Sequence, residues 1–263
     1  MSDTSKATLQ PGSLTGRTAL VTGSSRGIGA ATIDLLARAG ANVVVTYRAK
    51  APRAQKVVAA AEQQGVDAIA VQADLTDPTS LQAMFDEAKT RFGGLDILVM
   101  NASGGMESGM GEDYAMRLNR DAQVALLEAA LPVLSDGARV VFVTSHQAHF
   151  IRTTPTMPEY EAVALSKRAG EDALRERIPA LTERGIEFVV VSGDMIEGTI
   201  TATLLERANP GAIASRREDA GRLYDVDEFA LEVARAAVEP VPDEHTRLVG
   251  DVSGFGAAEG ASA

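Results

Sequence analysis

The chain has 263 residues, 45% of them hydrophobic, and its 36 acidic side chains against 25 basic ones give a formal net charge of -11. This length and apolar content favour one α/β domain with a large core, and the acidic balance argues against a nucleic-acid partner because basic surfaces bind phosphates. The chain has no cysteine, which excludes disulfides and thiolate metal sites, and with three histidines we expect no metal site.

The ends of the chain and its apolar runs bear on where the protein acts. No apolar run approaches the roughly 20 residues that a membrane span needs, and the first residues lack the apolar core of a secretory signal. We therefore expect a cytoplasmic protein with no membrane partner. We expect a flexible leader at residues 1–13, a single domain over residues 14–253 and a flexible tail at residues 254–263.

Seven apolar, β-branched runs alternate with helical patterns along the chain. The predicted strands are Thr18–Thr22, Asn42–Tyr47, Asp67–Gln72, Ile97–Met100, Arg139–Thr144, Glu187–Val191 and Thr246–Val249. The predicted helices include Gly29–Ala39, Arg53–Gln64, Leu81–Phe92, Leu118–Leu134 and Pro158–Thr182. Strand alternating with helix predicts a doubly wound, mostly parallel seven-stranded sheet with helices on both faces, the Rossmann type of α/β fold.

A glycine-rich loop, TGSSRGIG, begins at Thr22, directly between the first predicted strand and the first predicted helix. Glycines allow the tight turn and the close approach of a pyrophosphate, and the helix N-terminus favours its negative charge. The spacing is Gly-x-x-x-Gly-x-Gly, and an ordinary strand–helix turn is the alternative, but the position favours a dinucleotide site. The residues predicted to bind the cofactor here are Gly23, Ser25, Arg26, Gly27, Ile28 and Gly29.

Almost the entire chain resembles the short-chain dehydrogenase/reductase superfamily. The resemblance is carried by this loop and by the later motifs Asp74-Leu75, Asn101-Ala102-Ser103 and Ser166-Lys167-Arg168-Ala169. The resemblance implies a catalytic serine at Ser145, an active-site asparagine at Asn119 and a lysine, Lys167, that holds the nicotinamide ribose. It also implies tetramers that pack the helices predicted at Leu118–Leu134 and Pro158–Thr182. Further cofactor contacts implied by the resemblance are Asp74, Leu75, Asn101, Ala102, Ser103, Thr144, Gly193, Ile196 and Thr199.

The end of the second strand indicates which nicotinamide cofactor is bound. NAD enzymes with this fold carry an acidic residue there for the ribose 2′-hydroxyl, whereas this chain has Thr46-Tyr47-Arg48. Arg48 offers a planar donor fork to a 2′-phosphate, with Arg26 as a second partner and Tyr47 beside it. We therefore predict NADP(H), the alternative being that these basic side chains are solvated surface charges.

The family's acid–base tyrosine is displaced in this sequence. The residue four before Lys167 is Val163, and the nearest tyrosine is Tyr160, two helical turns before the lysine and about 10.5 Å from it along the axis. One hypothesis makes Tyr160 the acid, with Ser145 orienting the carbonyl; a second has water or a substrate hydroxyl supply the proton. A third has NADPH binding without chemistry, and His146 and His149 remain further candidates.

The segment after the sixth strand predicts the substrate side of the site. Ser192 stands where the family usually has proline, and Thr199 is expected to bond the cofactor's phosphate or amide. Ile200–Asp219 is predicted to be a substrate lid, with a surface helix pair as the alternative. Methionines in the loop 104–110 suit a flat ligand. The predicted substrate residues are Gly105, Met106, Ser145, Phe150, Met157, Tyr160, Ser192, Asp194 and Met195.

Two stretches, Thr144–Arg175 and Val190–Gly211, resemble ketoreductases that tailor angucycline-type aromatic polyketides in actinomycetes. The resemblance implies reduction of a ring ketone, at C6 of the angucyclinone, to a secondary alcohol during antibiotic biosynthesis. The alternatives are a general carbonyl reductase of small or acyl substrates and a non-catalytic NADPH-binding regulator.

Overall fold

The computed structural model describes residues 9–106, 111 and 113–256. Within them, seven parallel strands form one sheet in the order β3-β2-β1-β4-β5-β6-β7. The strands are β1 (Thr18–Val21), β2 (Asn42–Tyr47), β3 (Ala68–Gln72), β4 (Leu95–Met100), β5 (Leu134–Ser145), β6 (Glu187–Gly193) and β7 (Thr246–Val249). The predicted doubly wound α/β fold is confirmed, and every strand pairing is parallel.

Eleven helical segments lie among the described residues. They are α1 (Gly27–Arg38), α2 (Ala51–Glu62), α3 (Pro78–Phe92), α4 (Tyr114–Met116), α5 (Ala122–Ala130), α6 (His146–His149), α7 (Pro158–Arg175), α8 (Ile178–Glu183), α9 (Ile200–Ala208), α10 (Ala212–Ala220) and α11 (Val226–Ala236). A π-helical turn, Arg117–Asp121, joins α4 to α5, and a short 3-10 turn, Ser253–Phe255, follows β7. None of the described helices is both long and apolar enough to cross a membrane.

Two apolar layers cover the sheet, one on each face. Neighbouring strand residues point to opposite faces, so Leu20 packs with α3, α5 and α8, whereas Ala19 and Val21 pack with α1, α2 and α11. The order of the strands reverses between β1 and β4, and open α/β sheets bind ligands at such a point, outside the carboxyl ends of their strands. The fold therefore brings the loops after β1, β4, β5 and β6 to one edge.

Several boundaries differ from the predicted ones for identifiable reasons. The Asp77 carboxylate accepts from the Thr79 amide and starts α3 at Pro78, before the predicted Leu81. The helix predicted over Pro158–Thr182 ends at Arg175, and α8 begins at Ile178 with Pro179, which lacks a donor for the previous turn. The helix predicted at Leu118–Leu134 begins at Tyr114 through the π-helical turn and ends at Ala130.

Candidate active site

The glycine loop after β1 leaves the N-terminus of α1 open. Gly23 and Gly27 have φ values of 66° and 55°, in the left-handed region that glycine adopts without strain. A Cβ on Gly29 would lie 2.8 Å from the Asn101 Nδ2 atom, so only glycine lets the helix pack this closely. Arg26 makes no side-chain cap, and the first turn of α1 carries no acid. The helix N-terminus therefore presents unbonded amides to an anion.

A threonine that the sequence analysis did not single out connects β1 to the loop after β4. Thr22 Oγ1 accepts from the backbone amides of Asn101 at 2.9 Å and of Ala102 at 3.0 Å. The Asn101 side chain donates to the Thr22 carbonyl at 3.0 Å. Asn101 and Ala102, two of the predicted cofactor residues, thus lie beside the glycine loop, and Ser103 follows them at an exposed position.

Arg48 directly follows β2 and is held by residues of α4 and β3. Its Nη1 donates to the Tyr114 hydroxyl at 2.8 Å, and its carbonyl accepts from Gln72 at 2.9 Å. Asp74 follows β3 nearby, and donation from the hydroxyl and amide of Thr76 holds the pKa of its carboxyl below the usual range. Arg48 is therefore a positioned cation rather than a freely rotating one.

Ser145 and Tyr160 meet at the end of β5. The Ser145 Oγ and Tyr160 hydroxyl oxygens lie 3.2 Å apart, and either can donate. Tyr160 is the third residue of α7 and only 3% exposed, because its ring packs in an apolar cluster that includes Val163 and Met195. The displaced tyrosine thus reaches the serine, while Val163 fills apolar space against Gly105.

Lys167 and Asn119 lie on facing helices beyond this pair. Lys167 is 8% exposed, and its ammonium has no hydrogen-bond or ion-pair partner among the described residues. Asn119 lies in the π-helical turn, where its Nδ2 donates to the Gly104 carbonyl at 2.8 Å and to Ser166 Oγ at 2.9 Å. Asn119 therefore ties α7 to the loop after β4, and such π turns are frequent at functional sites.

Gly170 explains how α7 comes so close to the π-helical turn. A Cβ on Gly170 would lie 1.9 Å from the Asn119 carbonyl oxygen, which no rearrangement of a side chain could relieve. Glycine at position 170 therefore lets α7 come close enough for the hydrogen bond between Asn119 and Ser166 to form. The sequence contains the glycine, but a lone glycine within a helical pattern does not disclose this packing partner.

Ser192 and His146 form a buried pair behind the site. His146 Nδ1 and Ser192 Oγ lie 2.8 Å apart, and both residues are fully buried. The serine predicted to face the substrate is instead turned toward His146. Burial lowers the pKa of the His146 imidazole to about 4, against the opposing effect of the Asp194 charge, so the ring is neutral at pH 7. His146 is therefore poorly suited to supply the proton.

The buried His146 gives the protein a specific response to acid. The unfolded imidazole takes up a proton near its ordinary pKa of 6.5, whereas the folded one does so only near 4, so its contribution to stability is complete above pH 6.5 and lost as the pH falls toward 4. Between pH 7 and 5 we expect the free energy of unfolding to fall by about 2 kcal/mol more than in His146→Gln. Urea unfolding at both pH values measures this, and equal losses in the two proteins would contradict it.

The segment after β6 carries the remaining predicted residues. Thr199 caps α9 by accepting from the Ala202 amide at 3.2 Å, and Ile196 is buried in the layer beside α1. Asp194 is 5% exposed and bound by Arg216 of α10, with Nε donating to both carboxylate oxygens at 3.0 and 2.9 Å. The segment predicted to be a lid thus forms two helices, α9 and α10. The ion pair between Arg216 and Asp194 attaches α10 to the end of β6.

The apolar side chains among the predicted substrate residues divide into two groups. Met106, Met157 and Met195 pack in or against the apolar cluster that contains Tyr160. Phe150 instead stacks on Phe255 of the C-terminal 3-10 turn, with ring centroids 5.5 Å apart. Of the predicted loop 104–110, residues 107–110, including Met110, lie outside the described residues.

The other predicted cofactor residues lie along the same sheet edge. Leu75 and Thr144 are buried, Tyr47 is partly buried at the end of β2, and Gly193 ends β6. A Cβ on Gly193 would meet the Phe229 ring at 2.3 Å, so α11 packs directly on this strand end. Thr144 Oγ1 is buried without a hydrogen-bond partner among the described residues.

Comparison with known proteins identifies the class. The model of the short chain dehydrogenase family matches residues 17–209, and the chain belongs to this family. It is 35% identical over 197 residues to the short chain dehydrogenase claC of Passalora fulva, covering 73% of this chain and 71% of claC. It is 37% identical over 171 residues to the hydroxynaphthalene reductase-like protein Arp2 of Metarhizium robertsii, covering 63% of this chain and 62% of Arp2. The chain thus spans less than two thirds of some curated relatives.

A solved structure with the same fold covers nearly the whole chain. The crystal structure of the landomycin C-6 ketoreductase LanV, with bound NADP and rabelomycin, superposes with a TM-score of 0.70. It is 31% identical and covers 93% of this chain and 98% of LanV. The sequence resemblance to the short-chain dehydrogenase/reductase superfamily is confirmed, and a C-6 ketoreductase is among the structural neighbours.

Proposed function

We propose that this protein is an NADP(H)-dependent ketoreductase that reduces a ring ketone of a polycyclic aromatic polyketide, of the angucyclinone type, to a secondary alcohol. The observation that carries the proposal is the 3.2 Å contact between the Ser145 and Tyr160 hydroxyls at the carboxyl end of β5. Two adjacent hydroxyls at this edge of a parallel sheet can both hydrogen-bond one carbonyl oxygen.

The residues present fit an NADP(H) cofactor. The uncapped N-terminus of α1 suits a pyrophosphate, and Arg48, held by Tyr114, suits the 2′-phosphate. Lys167, a buried ammonium without a partner among the described residues, suits the ribose hydroxyls. When bound, NADPH supplies a hydride from its nicotinamide C4 to the ketone carbon. LanV, with bound NADP, supports the same assignment.

The hydroxyls of Ser145 and Tyr160 have different roles at the carbonyl oxygen of the substrate. Ser145 donates a hydrogen bond that orients the carbonyl and stabilises the developing alkoxide. Tyr160 donates the proton that completes the alcohol, and its burial in an apolar cluster excludes competing water. Lys167 lies two turns further along α7, about 10.5 Å from Tyr160 along the axis, and it holds the nicotinamide ribose rather than contacting the phenol.

The apolar surroundings of Tyr160 favour a flat, weakly polar substrate. Val163 occupies the position at which the family usually has its tyrosine, and it packs with Tyr160 and Met195, with Met106 and Met157 alongside. Methionine side chains adapt to irregular flat surfaces. A polycyclic aromatic ketone buries more apolar surface against these side chains than a small hydroxylated substrate does. The LanV complex with rabelomycin supports this substrate class.

NADPH oxidation with a panel of ketones tests the proposal. The panel pairs a tetracyclic aromatic ketone with a single-ring ketone and with an acetoacetyl thioester. We expect a kcat/KM for the tetracycle at least tenfold above the others, because each added ring buries more apolar surface. A preference for the thioester would favour a general acyl reductase, and NADPH binding without turnover of any ketone would favour a non-catalytic regulator.

A further inference from the structure

A cavity of about 450 Å³ is lined by two methionines, Met157 and Met195, that also belong to the surroundings of Tyr160. Its walls come from the loop between α6 and α7, from the loop between α9 and α10, from α10 itself and from the 3-10 turn Ser253–Phe255. The cavity is within the size range of small-molecule sites, and it shares these two methionines with the surroundings of the proposed ketone site.

Arg216 borders this cavity and is fixed in orientation. Its Nε donates to both oxygens of Asp194, and its Nη2 lies 3.4 Å from an oxygen of Asp251. The guanidinium also stands over the ring of Phe255, 5.0 Å from the centroid, while Phe150 stacks on that ring as well. A bidentate pair and a stacked ring leave the guanidinium little freedom to turn.

One end of the guanidinium remains available to a ligand. Among the described residues, Nη1 of Arg216 has no hydrogen-bond acceptor, and it lies 3.2 Å from the point at which a Cβ on Gly254 would stand. Gly254 and Arg216 both line the cavity. The missing side chain at Gly254 therefore leaves room beside a fixed donor that has nothing to bind within the described part of the protein.

The carboxylates around Arg216 determine whether a charged or a neutral ligand oxygen can accept a hydrogen bond from Nη1. Asp194 and Asp251 contact Arg216, and Asp219 lines the same cavity, so three carboxylates surround one cation. A ligand carboxylate would meet net negative charge, whereas a neutral carbonyl or phenol oxygen would not. The apolar methionines Met157 and Met195, which also line the cavity, favour a flat ring system attached to that oxygen.

We infer that this cavity is a subsite that binds a neutral ring oxygen, a quinone carbonyl or phenol, of a polycyclic aromatic ligand through Arg216 Nη1. The inference rests on the proposed function only in taking the ligand to be the same polycycle that Tyr160 protonates. It adds a specificity-determining residue on α10 and assigns the C-terminal turn at Gly254 and Phe255 to the ligand site.

Calorimetric titration of the NADP⁺-loaded protein tests the subsite without any turnover. The probes are 1,8-dihydroxyanthraquinone and its 3-carboxylic acid, which differ by a single charged group. We expect the neutral probe to bind at least tenfold more tightly than the acid. Equal or tighter binding of the acid would overturn the assignment.

Three variants test whether Arg216 and Gly254 contribute to the affinity for the neutral probe. Arg216→Lys keeps a cation for Asp194 but removes the fixed Nη1 donor, and we expect about tenfold weaker binding of the neutral probe, the loss of one charge-assisted hydrogen bond. Gly254→Ala leaves the ion pairs intact and narrows the approach to Nη1, so it tests the subsite even where Arg216→Lys is poorly folded. The matched control is Arg217→Ala, because Arg217 is 52% exposed and pairs with Glu197 instead.

The outcomes separate this inference from the proposed function. Wild-type affinity in both Arg216→Lys and Gly254→Ala would overturn the subsite, whatever the reductase activity. Selective binding that both variants weaken, together with no reduction of any ketone, would support the subsite and contradict the ketoreductase.

Discussion

Tyr160→Phe is expected to lower kcat by about 10²- to 10⁴-fold, the usual contribution of a positioned general acid. The phenylalanine ring retains the packing against Val163 and Met195, so the KM for the ketone should change little. The loss falls on kcat because the hydroxyl acts only when the alkoxide forms. Initial rates of NADPH oxidation with the best ketone of the panel measure both constants.

Tyr224→Phe is the matched control for this substitution. Tyr224 packs against the layer on the α1 face of the sheet and not in the cluster that contains Tyr160, so its variant should retain wild-type rates. If Tyr160→Phe also retained its rate while Lys167→Ala lost it, proton delivery by water or by a substrate hydroxyl would replace the tyrosine mechanism. The 3.2 Å contact with Ser145 would then serve only to orient the carbonyl.

Arg48→Asp is expected to weaken NADPH binding about 100-fold and to leave NADH binding nearly unchanged. The substitution removes a charge-assisted hydrogen bond, about 1.5–3 kcal/mol, and adds a carboxylate that repels the 2′-phosphate. The same carboxylate can accept from the 2′-hydroxyl of NADH, as in NAD enzymes with this fold. Fluorescence titration of each cofactor gives the two affinities.

Lys89→Asp makes the same change of charge at an exposed position on α3 and controls for the protein's overall field. It should alter neither affinity by more than about twofold. An equal loss of NADPH and NADH affinity in Arg48→Asp would show that Arg48 supports the fold of the site, through Tyr114, rather than the 2′-phosphate.

The sequence predicts the sheet and the nucleotide loop because both rest on local patterns. Apolar runs such as that in β2 identify buried parallel strands, and the glycines around Gly27 identify the turn before α1. The position of Pro158 also predicts the start of α7 and hence Tyr160 in its first turn. The contact between Tyr160 and Ser145 depends on how α7 packs against β5, which spacing alone does not determine.

The contacts that sequence reasoning missed all join residues far apart in the chain. Tyr114 holds Arg48 across 66 residues, His146 meets Ser192 across 46, and Arg216 meets Asp194 across 22. Sequence periodicity does not predict such pairs, because the two partners meet only when separate helices and strands pack together. For the same reason Ser192, predicted to face the substrate, is turned toward a histidine behind it.

Transfer of deuterium from the cofactor to the product tests the proposed ketone reduction. NADPH with deuterium in both C4 positions is incubated with the wild-type protein and a tetracyclic aromatic ketone, and the product is analysed by mass spectrometry and NMR. We expect a secondary alcohol with one deuterium on the carbinol carbon of the reduced ring. NADPH binding at micromolar concentration with no labelled alcohol from any ketone would contradict the proposed function and favour a regulatory protein that binds NADPH.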